Sequence, residues 1–377
     1  DCKTFEVPNQ GGKLAVITGA NSGIGLETVK RLSESNANVI MGCRSITRCE
    51  KAKASLSVGS KAKARITCFE LDLASFDSIR KFVWTIENHY LKSKSTPNSN
   101  SNGDGDGNQM MMIDMLINNA GIMAVPEEIV GNGYESQIAT NHLGHYVLKN
   151  LLIKFMATNS RIVVHSSGMS AMANAKFPVN YQWKRNHNEL NTKAYYNSLY
   201  SPFQEYSNSK RCNLYFAMEL QKRLNSNIKT SIKNITVITV HPGYTNTNLQ
   251  RDKIIGWEYM NNIFAMNVKD GAQSQIYAAY TKEPEIIVTA KNSNSVDVPV
   301  PAAIVIGPKF LMFGKPVLTP LGIFNNFEST SISDAKSKLL WENSRKETGV
   351  DMEVDIDIPV ESESDVDMKN AETLRQA

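Results

Sequence analysis

Short apolar runs rich in β-branched residues alternate along this chain with segments of helical periodicity. The predicted strands are KLAVIT (13–18), NVIMGC (38–43), ARITCFELD (64–72), MIDMLIN (112–118), SRIVVHS (160–166) and ITVITVH (235–241). Continuous apolar strands separated by helices indicate a parallel sheet that is covered on both faces. The sequence therefore predicts an α/β fold with a doubly wound, mostly parallel sheet of about seven strands in a single domain.

The end of the first predicted strand carries a glycine-rich loop, TGANSGIG, at residues 18–25. Ligands bind at the carboxyl ends of the strands in sheets of this kind. Three glycines allow a sharp turn and bring the backbone close to a pyrophosphate at the next helix N-terminus, although a simple tight turn can also need them. We predict that the loop binds a dinucleotide through Thr18, Gly19, Asn21, Ser22, Gly23, Ile24 and Gly25.

Two Tyr-x-x-x-Lys pairs occur, YSNSK at 206–210 and YLKSK at 90–94. One helical turn places the tyrosine and the lysine on the same face, where an ammonium can stabilise a phenolate. YSNSK follows the fifth strand on a predicted helix, whereas YLKSK ends a helix and runs into a polar insert. We therefore assign the chemistry to Tyr206 and Lys210, and interpret Tyr90 as part of a solvated helix end.

The spacing GxxxGxG after a threonine resembles the short-chain dehydrogenase/reductase family. The later strand ends match that family in order, as LDLAS, NNAG, TNHLG, HSSG and HPG. Each match alone has a plain structural explanation, such as a helix cap or a turn. Over roughly residues 12–349 the resemblance implies catalytic roles for Asn141, Ser167, Tyr206 and Lys210. It implies cofactor contacts by Asp72, Leu73, Asn119, Ala120, Gly121, Lys210, Pro242, Gly243 and Thr247.

The resemblance implies hydride transfer between a nicotinamide and a carbinol carbon, with Tyr206 moving the proton at the oxygen. Free tyrosine titrates at about 10, so a value near 7 requires roughly 4 kcal/mol of differential stabilisation. We expect the Lys210 ammonium and the oxidised nicotinamide to supply it. Ser167 is expected to hydrogen-bond the substrate oxygen, and Asn141 to support the proton path.

Cofactor choice is read at the end of the second strand, where the sequence is MGCRS. Cys43 stands where enzymes that prefer NAD place an acid, and Arg44 follows it. An arginine can pair with a 2′-phosphate and stack on adenine, although it could also be a plain surface cation. NADP(H) is the expected cofactor, with Arg48 adding to the preference.

The motifs together, with LLWENSRKETGV near the end, resemble the retinol-dehydrogenase-like branch, which acts on retinoids and other lipophilic alcohols, aldehydes and ketones. Two regions depart from that branch. The 38 residues between Ser167 and Tyr206 are unusually many. The segment 298–324 is also unusual, and we expect it to cover the substrate cleft or to touch a membrane surface.

The sequence leaves two alternative functions open. SKRCN, with Cys212, resembles light-dependent protochlorophyllide reductases, but those enzymes carry a cysteine where this chain has Tyr244, and their asparagine motif ends in Ala-Ala. The second rival is a nucleotide-binding scaffold without turnover. The complete Asn-Ser-Tyr-Lys set argues against it, because a scaffold has no need of a proton donor.

Five cysteines, without CxxC spacing or a paired pattern, predict a reducing compartment and no zinc site. The sequence leaves the compartment itself open. No run of 18 apolar residues occurs, so no membrane span is expected. The expected partners are a small-molecule substrate and no nucleic acid. A homodimer through the helices after strands four and five and a peripheral membrane contact are further expectations.

Domain boundaries follow from composition. We predict one domain over residues 1–349, with a disordered polar insert at 92–110, and an acidic disordered tail at 350–377. From Asp351 onward the tail has nine acidic and two basic residues, so it carries about −7 of the net charge of +4 and the rest carries about +11. The Asp-Gly repeat in the insert lacks the closing glutamate of a calcium loop, so no metal site is expected there.

Overall fold

The computed structural model describes residues 6–91, 111–131, 133–174, 176–179, 181, 183–184, 201–226, 233–243, 245, 267–281, 288–291, 297–300, 304–310, 313–319 and 334–352. For the strands between 288 and 319 only the backbone is described. The predicted insert at 92–110 and most of the predicted tail lie outside these residues, so both remain predictions.

The strands and helices alternate along the chain as the sequence pattern predicted. The strands are β1 Leu14–Thr18, β2 Asn38–Cys43, β3 Ile66–Glu70, β4 Ile113–Asn118, β5 Ile129–Val130, β6 Tyr134–Glu135, β7 Met156–His165, β8 Thr236–Val240, β9 Val288–Lys291, β10 Asp297–Val300, β11 Ile304–Phe310 and β12 Phe313–Thr319. The helices are α1 Gly23–Glu34, α2 Ile46–Ser55, α3 Ser60–Ala64, α4 Phe76–Ile86, α5 Ser136–Ile138, α6 Gly144–Leu152, α7 Pro202–Ser226, α8 Val268–Gly271, α9 Gln273–Tyr280 and α10 Asp334–Thr348. π turns follow α4 and join α5 to α6.

Within the described residues the main sheet has eight strands, in the order β12-β11-β8-β7-β4-β1-β2-β3. Seven of them run parallel, and β12 pairs antiparallel with β11 at one edge. The chain moves outward from β1 in one direction and then returns to place β4 on its other side. A crevice opens at such a reversal outside the carboxyl ends of the strands, so the fold places its ligand site between β1 and β4.

Side chains of the central strands are buried on both faces of the sheet. Leu14 and Val16 pack in the larger hydrophobic cluster, with α4, α6, α7 and α10. Ala15 and Ile17 point the other way, into the cluster with α1, α2 and α9. Successive residues of a strand face opposite sides of the sheet, so an unbroken apolar run is what a doubly covered strand requires. The fold class predicted from the sequence is confirmed.

The expectation for segment 298–324 was wrong in its central part. Residues Ile304–Phe310 pair parallel with β8, and Phe313–Thr319 forms the antiparallel edge strand. Residues Ile304–Phe310 therefore extend the main sheet rather than covering the cleft. Pro316 lies in the edge strand β12, where a missing N–H donor is tolerated. Pro308 lies beyond the residues of β11 that pair with β8. The flanking residues 301–303 and 320–324 lie outside the described residues.

The cysteine interpretation also needs correction. Cys49 on α2 and Cys68 on β3 form a disulfide, with their Cα atoms 6.0 Å apart. They are 19 residues apart in sequence and meet because the buried face of α2 packs on β3. The sequence pattern shows no such pairing, since the contact depends on the fold. The cysteines therefore do not indicate a reducing compartment.

Helix α10 packs on the face formed by α6 and α7. The Trp341 ring lies against Tyr146 and stacks on Phe216, with ring centroids 5.1 and 5.9 Å apart. Ser344 Oγ hydrogen-bonds His142 Nε2 at 2.8 Å. Helix α10 therefore covers part of α6 and α7, the helices that follow the fourth and fifth predicted strands, and the expected homodimer stays a prediction.

The folded body extends past the predicted boundary at residue 349. Val350 and Met352 are 3% and 1% exposed and belong to the larger core cluster. Arg345 Nε also lies 3.6 Å from Asp351 Oδ2. The first residues after α10 therefore pack on the core, which moves the start of the predicted tail beyond Met352. In the described part of the chain, no helix combines the length and apolar character that a membrane span needs.

Met352→Ala should lower the free energy of unfolding by about 2–5 kcal/mol, because it removes a buried side chain from the core. Truncation after Met352 should change it by less than about 1 kcal/mol, because the acidic remainder has little apolar surface to bury. Urea unfolding of both variants and the wild type tests this. Equal stability of Met352→Ala and wild type would show that this end of the chain does not contribute to the core.

Candidate active site

The ends of β1 and β4 are joined by a set of hydrogen bonds centred on Thr18. The Thr18 hydroxyl accepts from the backbone N–H groups of Asn119 at 3.0 Å and Ala120 at 2.9 Å. The Asn119 side-chain amide donates to the Thr18 carbonyl at 2.8 Å and more weakly to that of Gly19 at 3.3 Å. The TGANSGIG loop and the NNAG turn therefore form one rigid edge, although the sequence separates them by about a hundred residues.

The glycine loop is shaped for close approach of a ligand to the backbone. Gly19 and Gly23 have φ of 63° and 54°, which other residues rarely adopt. A Cβ on Gly25 would lie 2.6 Å from both Asn119 Nδ2 and the Gly19 carbonyl oxygen. The N-cap Ser22 makes no side-chain cap, so the first N–H groups of α1 remain open to an anion. These features fit the pyrophosphate of a dinucleotide.

Cys43 and Arg44 lie at the end of β2, beside this loop. The Cys43 side chain is buried, and the nearby backbone of Ala20 and Asn21 acts against the effect of burial on the pKa of its thiol. Burial raises the pKa of this thiol to about 12, so it stays uncharged. Arg44 and Arg48 are exposed. The end of β2 therefore presents cations and no acid toward solvent.

Asp72 and Leu73 form the turn between β3 and α4. Asp72 Oδ1 accepts from the Ala74 N–H at 3.0 Å, and the N-cap of α4 is Ser75, not Asp72. A Cβ on Gly144 would lie 2.2 Å from the Leu73 carbonyl oxygen. The turn is therefore fixed against the helix that follows the NNAG edge.

Ser167 and Tyr206 come together at the mouth of the crevice. Ser167 follows β7 and is partly exposed, whereas Tyr206 on α7 is 4% exposed. The Ser167 side chain lies close enough to Tyr206 to act on the pKa of its hydroxyl. The neighbouring Ser166 is buried and donates to the Lys210 carbonyl at 2.8 Å, so it fixes the strand to the helix. Of the two serines in HSSG, the structure directs the second toward the tyrosine.

Lys210 lies one helical turn from Tyr206, as the spacing predicted. Its Nζ donates to the His165 carbonyl at 3.3 Å and lies 5.6 Å from the centroid of the Tyr206 ring. A Cβ on Gly121 would lie 3.4 Å from Nζ. The ammonium therefore lies between the strand that carries the serine and the NNAG edge. Tyr90 lies elsewhere, with its hydroxyl 2.8 Å from Thr67 Oγ1.

The electrostatics differ from the expectation that Lys210 helps bring Tyr206 toward neutrality. Burial raises the pKa of Tyr206 to about 12, with the Ser167 hydrogen bond acting in the opposite direction. Burial also lowers the pKa of Lys210 to about 8. In the protein alone, desolvation therefore outweighs the attraction of the ammonium for a phenolate. In the protein alone, the Tyr206 hydroxyl is therefore protonated at neutral pH.

Asn141 holds two parts of the site together without reaching solvent. Its Oδ1 accepts from the Ile122 N–H at 2.8 Å, and its Nδ2 donates to the Ile122 carbonyl and to Ser209 Oγ, each at 2.9 Å. Ser209 Oγ in turn donates to the Tyr206 carbonyl at 2.7 Å. The asparagine therefore clamps the segment after NNAG to the helix that carries the tyrosine.

Pro242 and Gly243 follow β8 at the same edge of the sheet. Gly243 has φ of 69°, and Thr245 Oγ1 donates to the Pro242 carbonyl at 2.9 Å. Thr247 lies outside the described residues, so its predicted contact with the nicotinamide amide stays a prediction.

Sequence reasoning missed two polar residues that complete this network, Ser209 and His145. His145 Nε2 lies 2.8 Å from Thr18 Oγ1, and its Nδ1 lies 3.1 Å from the Asn141 carbonyl oxygen. The available signal was the position of His145 four residues after Asn141, which places it one helical turn away. Across the residues that the structure describes, no group of three or more His, Cys, Asp or Glu is placed to hold a metal ion.

Comparison with known proteins identifies the family. The sequence model described as short chain dehydrogenase matches residues 13–94. Retinol dehydrogenase 14 from Homo sapiens is 32% identical over 299 residues, which cover 73% of this chain and 76% of that protein. The chain belongs to the short-chain dehydrogenase/reductase family, in its retinol-dehydrogenase-like branch.

Other relatives show the breadth of this similarity. The short-chain dehydrogenase TIC 32 B, chloroplastic, from Brassica napus is 31% identical over 70% of this chain and 75% of that protein. An uncharacterised protein from Mycobacterium paratuberculosis has a solved structure that superposes with a TM-score of 0.61, at 28% identity, over 92% of this chain and 97% of that one. Family membership makes the chain an oxidoreductase with a nicotinamide cofactor and a small-molecule substrate.

Cys212, which suggested protochlorophyllide reductases, lies in the hydrophobic core. It is fully buried in the larger cluster, and burial raises the pKa of its thiol far above the usual value. Two residues along a helix turn the side chain away from the direction of Lys210. The thiol therefore does not take part in the site.

The lowered pKa of Lys210 predicts a pH-dependent stability difference between wild type and Lys210→Met without cofactor. The folded value, about 8, lies below the value of 10.5 for exposed lysine, so the folded state binds fewer protons between these pH values. Wild-type stability should therefore rise relative to Lys210→Met from pH 8 to 10.5, by on the order of 3 kcal/mol. Urea unfolding across this range measures it. A difference that is constant with pH would show that the lysine is not desolvated.

Proposed function

We propose that this chain is an NADPH-dependent reductase of lipophilic aldehydes or ketones, with Tyr206 as the proton donor. The observation that carries the proposal is the arrangement of Ser167, Tyr206 and Lys210 beside the glycine loop. When bound, the nicotinamide supplies the hydride. Ser167 and Tyr206 then hold the carbonyl oxygen from two sides, which fixes the carbonyl carbon for hydride attack.

The electrostatics favour the reductive direction. A tyrosine whose pKa is raised to about 12 is protonated at neutral pH, as a general acid must be. Oxidation of an alcohol would require a phenolate, which burial disfavours in the protein alone. The Lys210 ammonium stabilises the negative charge left on Tyr206 after it protonates the alkoxide.

Support for a lipophilic substrate comes from the short helix after Ser167. Met172 closes this helix and is 66% exposed, so it offers an apolar surface five residues after Ser167. Relatives of this chain are named retinol dehydrogenases. A single exposed methionine sets no chain length or ring shape, so the proposal extends to the chemical class and not to one compound.

NADPH is proposed over NADH because of the charges at the end of β2. Arg44 and Arg48 are exposed beside the loop, and Cys43 provides no acid to accept from a 2′-hydroxyl. An exposed guanidinium retains its hydrogen-bond donors for a phosphate, which it can bind in a bidentate manner.

Tyr206→Phe should lower kcat for carbonyl reduction by at least about 100-fold and leave the Kd for NADPH within about threefold. Only the proton donor is lost, and general acid catalysis by a positioned group accounts for roughly 100- to 10,000-fold. Tyr90→Phe is the matched control and should keep full activity. A panel of aldehydes and ketones, including retinal and protochlorophyllide, with NADPH and NADH measures both.

Failure of the proposal would take two forms. Tight NADPH binding without turnover of any compound would favour a nucleotide-binding scaffold. Light-dependent reduction of protochlorophyllide alone would favour the protochlorophyllide reductase alternative.

Wild type should use NADPH over NADH by roughly 10- to 100-fold in kcat/KM, since a charge-assisted contact contributes about 1.5–3 kcal/mol. Cys43→Asp combined with Arg44→Ala should invert the preference, because the carboxylate would repel the phosphate and accept from the hydroxyl. Arg80→Ala, a change of an exposed arginine on α4, is the matched control and should not alter the ratio. An unchanged ratio in the double variant would contradict the assignment of Arg44.

A further inference from the structure

The Thr18 hydroxyl lies at the centre of a group of polar contacts behind the TGANSGIG and NNAG loops. It accepts from the N–H groups of Asn119 and Ala120, and it also contacts His145 Nε2 at 2.8 Å. A hydroxyl has two lone pairs and one proton. The two N–H groups use the lone pairs. Of the two acceptors near the hydroxyl, His145 Nε2 at 2.8 Å is much closer than the Ile117 carbonyl oxygen at 3.5 Å, so the proton is directed to His145.

This requirement fixes the tautomer of His145. Its Nε2 must accept from the Thr18 hydroxyl, so the ring proton lies on Nδ1. Nδ1 then donates to the Asn141 carbonyl oxygen at 3.1 Å. All polar atoms of the ring and of the hydroxyl are satisfied in this one arrangement. The alternative tautomer would leave Nε2–H without an acceptor and the Asn141 carbonyl without this donor.

His145 is suited to stay in that neutral form. It is 3% exposed, and burial lowers its pKa to about 4, with the charge of Lys210 acting in the same direction. The bond to Asn141 acts in the opposite direction but is the weaker influence. A neutral ring keeps one donor and one acceptor, which the two contacts require.

The contacts continue beyond the histidine to the catalytic helix. Asn141 donates to Ser209 Oγ, which donates to the Tyr206 carbonyl. The helix around Asn141 is a π turn, Ala139–Leu143, a distortion often found at functional sites. A continuous series of hydrogen bonds therefore runs from the cofactor loop through His145 to the backbone of the tyrosine.

We propose that His145 is a positioning residue. It fixes the distance between the joined TGANSGIG and NNAG loops and the helix that carries Tyr206 and Lys210. It touches neither the cofactor nor the substrate. This role rests on the proposed function, because the distance matters only for transfer between a nicotinamide and a carbonyl held by Tyr206. Displacement of a positioned group by about 1 Å can lower a rate on the order of 100-fold.

Three substitutions separate the two contacts of the ring. His145→Gln places a side-chain oxygen near the position of Nε2 and can still accept from Thr18. His145→Asn places an amide near the position of Nδ1 and can still donate to Asn141. His145→Leu loses both. We expect kcat to fall at least about tenfold in His145→Leu and His145→Asn and to stay within about threefold of wild type in His145→Gln, with NADPH Kd changed less than about threefold in all three.

His142→Leu is the matched control for lost stability. This second buried histidine lies on the same helical segment but hydrogen-bonds Ser344 on α10, away from the cofactor edge. Both leucine variants should lower Tm, and only the one at His145 should lower kcat. Equal kcat in His145→Leu and wild type, or an equal loss of kcat in both leucine variants, would overturn the proposal.

The tautomer is tested without any enzyme activity. Nitrogen NMR of the ¹⁵N-histidine-labelled protein should show His145 protonated on Nδ1 and unprotonated on Nε2, with the resonance assigned from the His145→Gln spectrum. Thr18→Val should shift the Nε2 signal. A ring protonated on Nε2 would overturn the proposal even if the enzyme is active. Absence of turnover with the expected tautomer would instead count against the proposed function and remove the role in catalysis.

Discussion

One threonine, Thr18, joins the loops that follow the parallel strands β1 and β4, and the candidate cofactor site is built on these two loops. β1 and β4 pair side by side where the chain order reverses, and a further link joins the loops that follow them. The Thr18 hydroxyl and the Asn119 amide supply that link with short hydrogen bonds in a buried setting. Such bonds are strong where water is excluded, and their loss leaves unsatisfied polar groups. These bonds join the glycine loop to the NNAG turn, and His145 connects Thr18 to Asn141 in the π turn.

Desolvation is the second controlling influence, and it acts on the catalytic pair in opposite directions. It makes Tyr206 harder to ionise and Lys210 easier to deprotonate. A buried donor of this kind suits reduction of a carbonyl, because the proton must be present before the hydride arrives. The strands that deliver Ser167 and Asn119 meet this helix only in the folded state. The chemistry is therefore a property of the sheet edge as a whole, and no single motif carries it.

Sequence patterning identified the elements whose signal is local. NVIMGC (38–43) coincides with β2 because a buried central strand is a continuous apolar run, and YSNSK gave the correct relative position of Tyr206 and Lys210 because helical spacing is regular. The pattern did not reveal features that depend on contacts between residues far apart in the sequence. The Cys49–Cys68 disulfide depends on how α2 packs on β3, and the sheet position of Ile304–Phe310 depends on pairing with β8. The proposed role of His145 depends on its contact with Thr18, which lies 127 residues earlier in the sequence.

The central claim is that Tyr206 protonates a carbonyl oxygen while the bound nicotinamide reduces its carbon. The most direct test uses NADPH in which both hydrogens on the nicotinamide C4 are replaced by deuterium. This cofactor is incubated with an aldehyde that wild type accepts, and the alcohol product is examined by mass spectrometry. The account predicts one deuterium on the carbinol carbon with wild type and formation of that alcohol at least about 100-fold more slowly with Tyr206→Phe. An alcohol without deuterium, or labelled alcohol formed at the same rate by Tyr206→Phe, would contradict it.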